Sequence, residues 1–402
     1  MKFDFESIMD RRGMDAIAVD GLGHGFAPSL PREGFDAIPM WVADMNFPTA
    51  PSVCREMEKR ISHPAFGYFD PRDEYFDSVI RWHKVRNGVN GMLPEHIGYE
   101  NGVLGGLLSA LATFASRGDN VLVHSPTYIG FTMSLKNAGY NIVHSPLKLD
   151  CDGKWRMDFD DMEKKLREYN IHAAIFCSPH NPTGRVWEMR EIAEAMVLFK
   201  KYDVSVVSDE IWSDILLDGK CHVPTQSVSD YARERTVALY APSKTFNLAG
   251  LVNAYHVIYN KTLRDRVKKE SSLSHYNSMN MLSMYALIGA YSHEGMKWTD
   301  ELCKVLSANV RYACDFIEKS FRGVSVSRPE GTYMLFPDFT EWLSEHNMTL
   351  EKLVNSGCDV GVAWQNGKVH GGVNHIRMNL ALPFTKVEEA FCRLNKYVIN
   401  KV

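Results

Sequence analysis

The chain has 402 residues, 45% of them hydrophobic and 23% charged, with a formal net charge of −4. Its length exceeds the roughly 250–300 residues at which a single core stops growing, so two domains are expected of an ordinary soluble composition. The small negative charge, without a long basic run, argues against a dedicated nucleic-acid binder, and no apolar stretch approaches the roughly 20 residues needed to cross a bilayer.

The first fifteen residues are acidic and lack the apolar segment of a signal peptide, so a cytoplasmic location is expected. The first forty or so residues carry little periodic structure and are expected to pack on a domain formed elsewhere. Between Asp73 and Arg86, Phe76, Val79, Ile80 and His83 recur at i, i+3, i+4, i+7, one face of a helix. The middle of the chain alternates short β-branched runs with amphipathic stretches, as βαβ units do. Strands are expected at Val121–His124, Ile142–Ser145, Ala173–Cys177, Val204–Ser208, Val237–Ala241 and Ala254–Ile258, with helices at Phe159–Tyr169 and Ile192–Tyr202 among them. From about Tyr285 the pattern turns helix-rich, then gives short strands near Thr332–Pro337 and His375–Leu380, which reads as a smaller α+β domain. The eight cysteines stand singly with no CxxC pair, as free thiols in a reducing compartment do. The histidines show no ligand spacing, and no metal site is expected.

Four motifs, in chain order, carry chemistry. Ser178-Pro179-His180-Asn181-Pro182-Thr183-Gly184 follows the apolar strand Ala173–Cys177, at the sheet edge where open α/β sheets bind ligands; alone it is also an ordinary turn. Asp209 and Glu210 end the run Val204–Ser208; a carboxylate there is costly unless a cation meets it, though it could equally cap a helix. Lys244 follows a strand among small and apolar residues in Ala241–Gly250, a setting that lowers an amine's pKa; alone, Ser-Lys on a loop is a common surface pair. Arg377 lies in the alternating strand His375–Asn379, able to grip a carboxylate with two parallel hydrogen bonds or to face solvent at an edge.

Taken in this order, the motifs resemble the class I/II aminotransferase superfamily over essentially the whole chain. Trp41–Met45, Phe66-Gly67-Tyr68, Pro126-Thr127-Tyr128, Ser178–Pro182 and Ala241–Asn247 are similar to its MalY/PatB-like cystathionine β-lyase branch. The resemblance implies an aspartate-aminotransferase-like fold, pyridoxal 5′-phosphate (PLP) fold type I. A large domain of residues 46–285 would hold a mostly parallel seven-stranded sheet between helices, and residues 1–45 and 286–402 would form the smaller domain.

The resemblance also implies roles. Lys244 carries PLP as a Schiff base and later takes the substrate α-proton. Asp209 pairs with the ring nitrogen, Asn181 bonds the ring 3′-oxygen, and Tyr128 stacks on the ring. The phosphate rests at a helix beginning near Gly102-Val103-Leu104, with Ser243 adding a hydroxyl and Tyr68 reaching in from the second subunit of a homodimer. Arg377 binds the substrate carboxylate, and Asn181, Val42 and Ala43 line the substrate side, with Ser274–Ser278 expected near it. Three positions depart from the pattern. Val252 stands where many aminotransferases have a phosphate-binding arginine, Trp212 where a tyrosine is common, and Asn46 where the branch has an acid. The implied reaction is α,β-elimination of L-cysteine S-conjugates such as cystathionine. The alternatives are amino transfer to a 2-oxo acid with the same residues and, in another class, a binding protein that modulates a transcription regulator.

Overall fold

The computed structural model describes residues 3–274 and 277–400. Its centre is a sheet of seven strands: β1 (Ile97–Glu100), β2 (Asn120–Ser125), β3 (Asn141–Pro146), β4 (Ala173–Cys177), β5 (Ser205–Asp209), β6 (Thr236–Tyr240) and β7 (Ala254–Val257). They lie in the order β1-β7-β6-β5-β4-β2-β3. The pairs β3–β2–β4–β5–β6 are parallel, and β7 runs antiparallel to both β6 and β1. Every residue of β4, β5, β6 and β7 is buried, as expected of strands covered by helices on both faces, which explains their continuous apolar runs. The six expected strands form within a residue or two of their predicted bounds. β1 is the addition, its four residues being too short to show a period.

Because β7 reverses direction twice over, the carboxyl ends of β1, β2, β4, β5 and β6 share one edge of the sheet. That edge carries Asp209, the last residue of β5, and the segments leaving it carry Gly102, Tyr128, Asn181 and Lys244. Helix α1 (Gly102–Phe114) starts directly after β1.

A second, three-stranded sheet has the order β8-β10-β9, from β8 (Met334–Leu335), β9 (Gln365–Asn366) and β10 (Ile376–Asn379), all antiparallel. Ile38–Pro39 pairs in parallel with Val362–Ala363, and Arg393 bonds the Asp36 carbonyl at 2.8 Å, so the start of the chain packs on this later part. The two sheets meet where the Asn181 loop touches the strand-like segment before β8. The Glu330 and Gly331 amides both donate to Gly184 O, and a β-carbon on Gly184 would lie 2.3 Å from that of Pro329. Arg185, buried beside this contact, donates to Glu188, Glu191 and Glu330. No helix of the described residues is long and apolar enough to cross a membrane, and they hold no cluster of three metal-ligating side chains.

Candidate active site

The loops at the shared edge enclose a cavity of about 230 Å³. Ten of the residues singled out in the sequence line it: Ala43, Gly102, Val103, Leu104, Tyr128, Asn181, Asp209, Trp212, Ser243 and Lys244. Arg377 stands just behind, its Nη1 donating to Asn181 Oδ1 at 3.4 Å. Val42 lies one residue from the cavity wall, and Tyr68 is fully exposed on a separate broad groove. Asn277 and Ser278 line that groove rather than the Lys244 cavity, Asn277 being drawn away by the Tyr99 carbonyl and, at 3.3 Å, by the buried Glu100 carboxylate. His275 and Tyr276 lie outside the described residues.

Lys244 opens onto the cavity from beneath the surface. Its Nζ donates to the Ala43 carbonyl at 3.0 Å and lies 5.8 Å from the centre of the Trp212 ring. Burial lowers its pKa from 10.5 to about 8, and the Arg377 charge pushes the same way, against Asp44 and Asp209. Asp209, 4% exposed, accepts one hydrogen bond, from the Ile211 amide at 3.0 Å, and makes no ion pair among the described residues. Burial therefore raises its carboxyl from 3.8 to about 7. Arg377, 3% exposed, has no carboxylate partner among the described residues either. Its Nη2 rests on Trp41 O at 3.2 Å, its Nε is unpaired, and burial lowers its pKa to about 10, which leaves it a cation at neutral pH.

Two unmatched buried charges of opposite sign, beside a cavity with an amine at its floor, suit a ligand with a cationic ring atom and a substrate with a carboxylate. The rest of the wall agrees. Asn101 makes no side-chain cap on α1, so the first-turn amides at Gly102 are free to meet an anion. Gly102 adopts φ +76°, which favours glycine. Tyr128 lies over Gly130, where a β-carbon would come within 2.3 Å of its ring, and His370 stacks beyond it at 6.4 Å. The residues present fit PLP.

The departures also find places. Trp212 lines the cavity and packs edge-on against Tyr333 at 4.7 Å, and its indole N–H makes no hydrogen bond among the described residues. Val252 extends toward Gly102 at φ +46°, and among the described residues Lys244 is the one cation that lines the cavity. At Asn46, Arg11 reaches Oδ1 at 3.3 Å while its ion pair goes to Asp44 at 2.6 Å, so the acid near Arg11 is two residues earlier.

Sequence reasoning passed over Cys177, Ile211, Asn101 and Asn253, which also line the cavity. Cys177 sits opposite Asp209 in the β4–β5 register, so its strand-end position was the one available signal.

The sequence profile of the aminotransferase class I and II family matches residues 38–394, and the chain belongs to that family, hence to the PLP-dependent enzymes. It is 31% identical to the cystathionine β-lyase PatB of Bacillus subtilis strain 168, over 97% of this chain and 98% of that protein. Cystalysin from Treponema denticola, whose crystal structure contains PLP, superposes with a TM-score of 0.91 at 30% identity, covering all of both chains. The PLP-bound C–S lyase from Staphylococcus hominis gives 0.89 at 30% identity, over 98% of each.

Proposed function

We propose that the chain is a PLP-dependent carbon–sulfur lyase that cleaves L-cysteine S-conjugates, cystathionine being the simplest, into pyruvate, ammonia and a thiol. The observation that carries this reading is the trio around one cavity: the Lys244 amine, the unpaired carboxylate of Asp209 and the unpaired guanidinium of Arg377. The names of the relatives favour carbon–sulfur cleavage over amino transfer.

When bound, PLP supplies an electron sink for the carbanion at the substrate α-carbon. Arg377 orients substrate through its carboxylate by paired hydrogen bonds, giving up its rest on Trp41 O. Asp209, which has no ion-pair partner among the described residues, would hold PLP through its ring nitrogen and favour the cationic form of that nitrogen. Asn181, already bonded to Arg377, ties the ring side of the site to the carboxylate side. Lys244, whose pKa burial lowers toward neutrality, takes the α-proton on its amine nitrogen. The Gly102 end of α1 and the Ser243 hydroxyl, both lining the cavity, would hold the phosphate. Tyr68 of a second copy completes that end in a homodimer, which its full exposure in the single chain supports.

Purified protein given S-methylcysteine or cystathionine is expected to release pyruvate and thiol in stoichiometric amounts with no 2-oxo acid added. Lys244→Ala should lose both the yellow colour and at least about 10⁴ of the rate. Amino transfer to 2-oxoglutarate without pyruvate release would instead assign the chain to the aminotransferases.

A further inference from the structure

Residues 41–45 run beneath the cavity with every carbonyl engaged by a side chain. Trp41 O accepts from Arg377 at 3.2 Å, Val42 O from Asn379 at 2.9 Å, Ala43 O from Lys244 at 3.0 Å, and Asp44 O again from Asn379. Asn247 closes the series with both ends of its amide: Nδ2 donates to Met45 O at 2.9 Å, and Oδ1 accepts from Met45 N at 3.0 Å.

Two features set Asn379 and Asn247 apart from incidental contacts. Asn379 lies two residues after Arg377 on β10, so strand alternation puts both side chains on one face, toward the same loop. It is fully buried, both amide ends are used, and its Oδ1 accepts from the Ala381 amide at 2.7 Å. Asn247 lies three residues after Lys244 at φ +56°, a backbone state that asparagine tolerates better than most residues. Both stand in the motifs that carry Arg377 and Lys244, yet neither touches the cavity.

We infer that Asn379 and Asn247 are positioning residues: they clamp the peptides on either side of Ala43 so that its carbonyl holds the free Lys244 amine in place for proton transfer. A lysine side chain released from a covalent bond has four rotatable carbons and many rotamers, and its amine is an effective base only when held within reach of the α-carbon. A fixed carbonyl takes one N–H and leaves the nitrogen free to turn its lone pair to the substrate. An unclamped loop would let carbonyl and amine drift together.

The inference rests on Lys244 acting as the base, and the test separates it from the lyase reading by using an amino acid with no leaving group. In D₂O, holoenzyme with L-alanine exchanges the α-proton, and loss of that proton's NMR signal gives the transfer rate whether or not the enzyme cleaves sulfur bonds. Asn379→Ala is expected to slow exchange roughly 10- to 100-fold while half-saturation by alanine stays within about twofold and the yellow absorbance is retained. Asn247→Ala, whose bonds lie nearer the surface, should give the same split to a smaller degree and serves if Asn379→Ala does not fold. In the cofactor-free proteins, acetic anhydride at pH 7 should label Lys244 several-fold faster in the variants, because the amine has lost its acceptor. Unchanged exchange and labelling in a folded variant would overturn the inference. So would a rise in half-saturation that accounts for the whole loss, since that would place the asparagines in substrate binding.

Discussion

Asp209 and Glu210 are neighbours at the end of β5, and the two sides of the sheet treat them in opposite ways. On the cavity side, Asp209 has a single backbone donor and no ion pair among the described residues. On the core side, Glu210 accepts from Ser208 Oγ at 2.9 Å, the Thr225 amide at 3.0 Å and Tyr240 Oη at 2.7 Å, and pairs with His222 Nε2 at 2.6 Å. Burial alone would raise both carboxyls. It does so for Asp209, to about 7, whereas His222, Tyr240 and the Thr225 amide hold Glu210 below its ordinary 4.5. An unsatisfied buried charge costs free energy, and folded chains retain one chiefly where a ligand will meet it. One acid is left for the ligand; the other stabilises the fold.

The largest expected effect is on the cavity side. In the proposed role of Asp209 as the ring-nitrogen partner, Asp209→Asn should cost roughly 10³-fold in kcat/KM. The same variant should not destabilise the cofactor-free protein. A carboxyl whose folded pKa is raised favours folding below its unfolded value of 3.8 and loses that contribution as pH rises through about 7. Chemical denaturation of the cofactor-free protein should therefore show stability falling between about pH 4 and 7, a slope that Asp209→Asn flattens. If the slope persists, the unmatched charge lies elsewhere.

The next effect is on the core side and is one of stability. Glu210→Gln keeps the shape but leaves Tyr240 and His222 facing a weaker acceptor, and should cost about 3 kcal/mol with kcat within about tenfold of the parent. Its sign with pH is opposite. The lowered folded pKa makes the stabilisation present above about 4.5 and lost on further acidification, so the variant should show a shallower acid limb. A variant that loses activity but keeps its denaturation midpoint would erase the contrast between the two acids. The smallest expected effect is at Gly130→Ala, where the new methyl group displaces the Tyr128 ring and should weaken PLP affinity about tenfold by absorbance titration.

Which of these acids faces the cavity was only partly legible in the sequence. Asp209 was singled out because a strand-end carboxylate needs a cation, and the resemblance named the partner. Nothing in the motif told Glu210 apart, because His222 and Tyr240 reach it from other loops of the chain. The central strands were legible for a simple reason: burial on both faces writes an uninterrupted apolar run. β8 falls inside the strand expected near Thr332–Pro337, whereas β9, two residues long, carries no period at all. The same limit hid the roles of Asn379 and Asn247. Both stood in quoted motifs, but a side chain that bonds a peptide more than 200 residues away in sequence leaves no local trace, as Asn247 to Met45 and Asn379 to Val42 do. The departure at Asn46 became intelligible only when Arg11, far upstream, was seen paired with Asp44.

The rest position of Arg377 on Trp41 O bears on the thermodynamics of substrate capture. This long side chain has about 2 kcal/mol of rotamer freedom to lose, and here it is already confined before any ligand arrives. That ordering is charged to folding, so an incoming amino acid exchanges one acceptor for another rather than immobilising a mobile cation. Calorimetry of a non-reacting amino acid binding to the holoenzyme should accordingly show a small entropic penalty, with heat release governed by the swap of a carbonyl for a carboxylate.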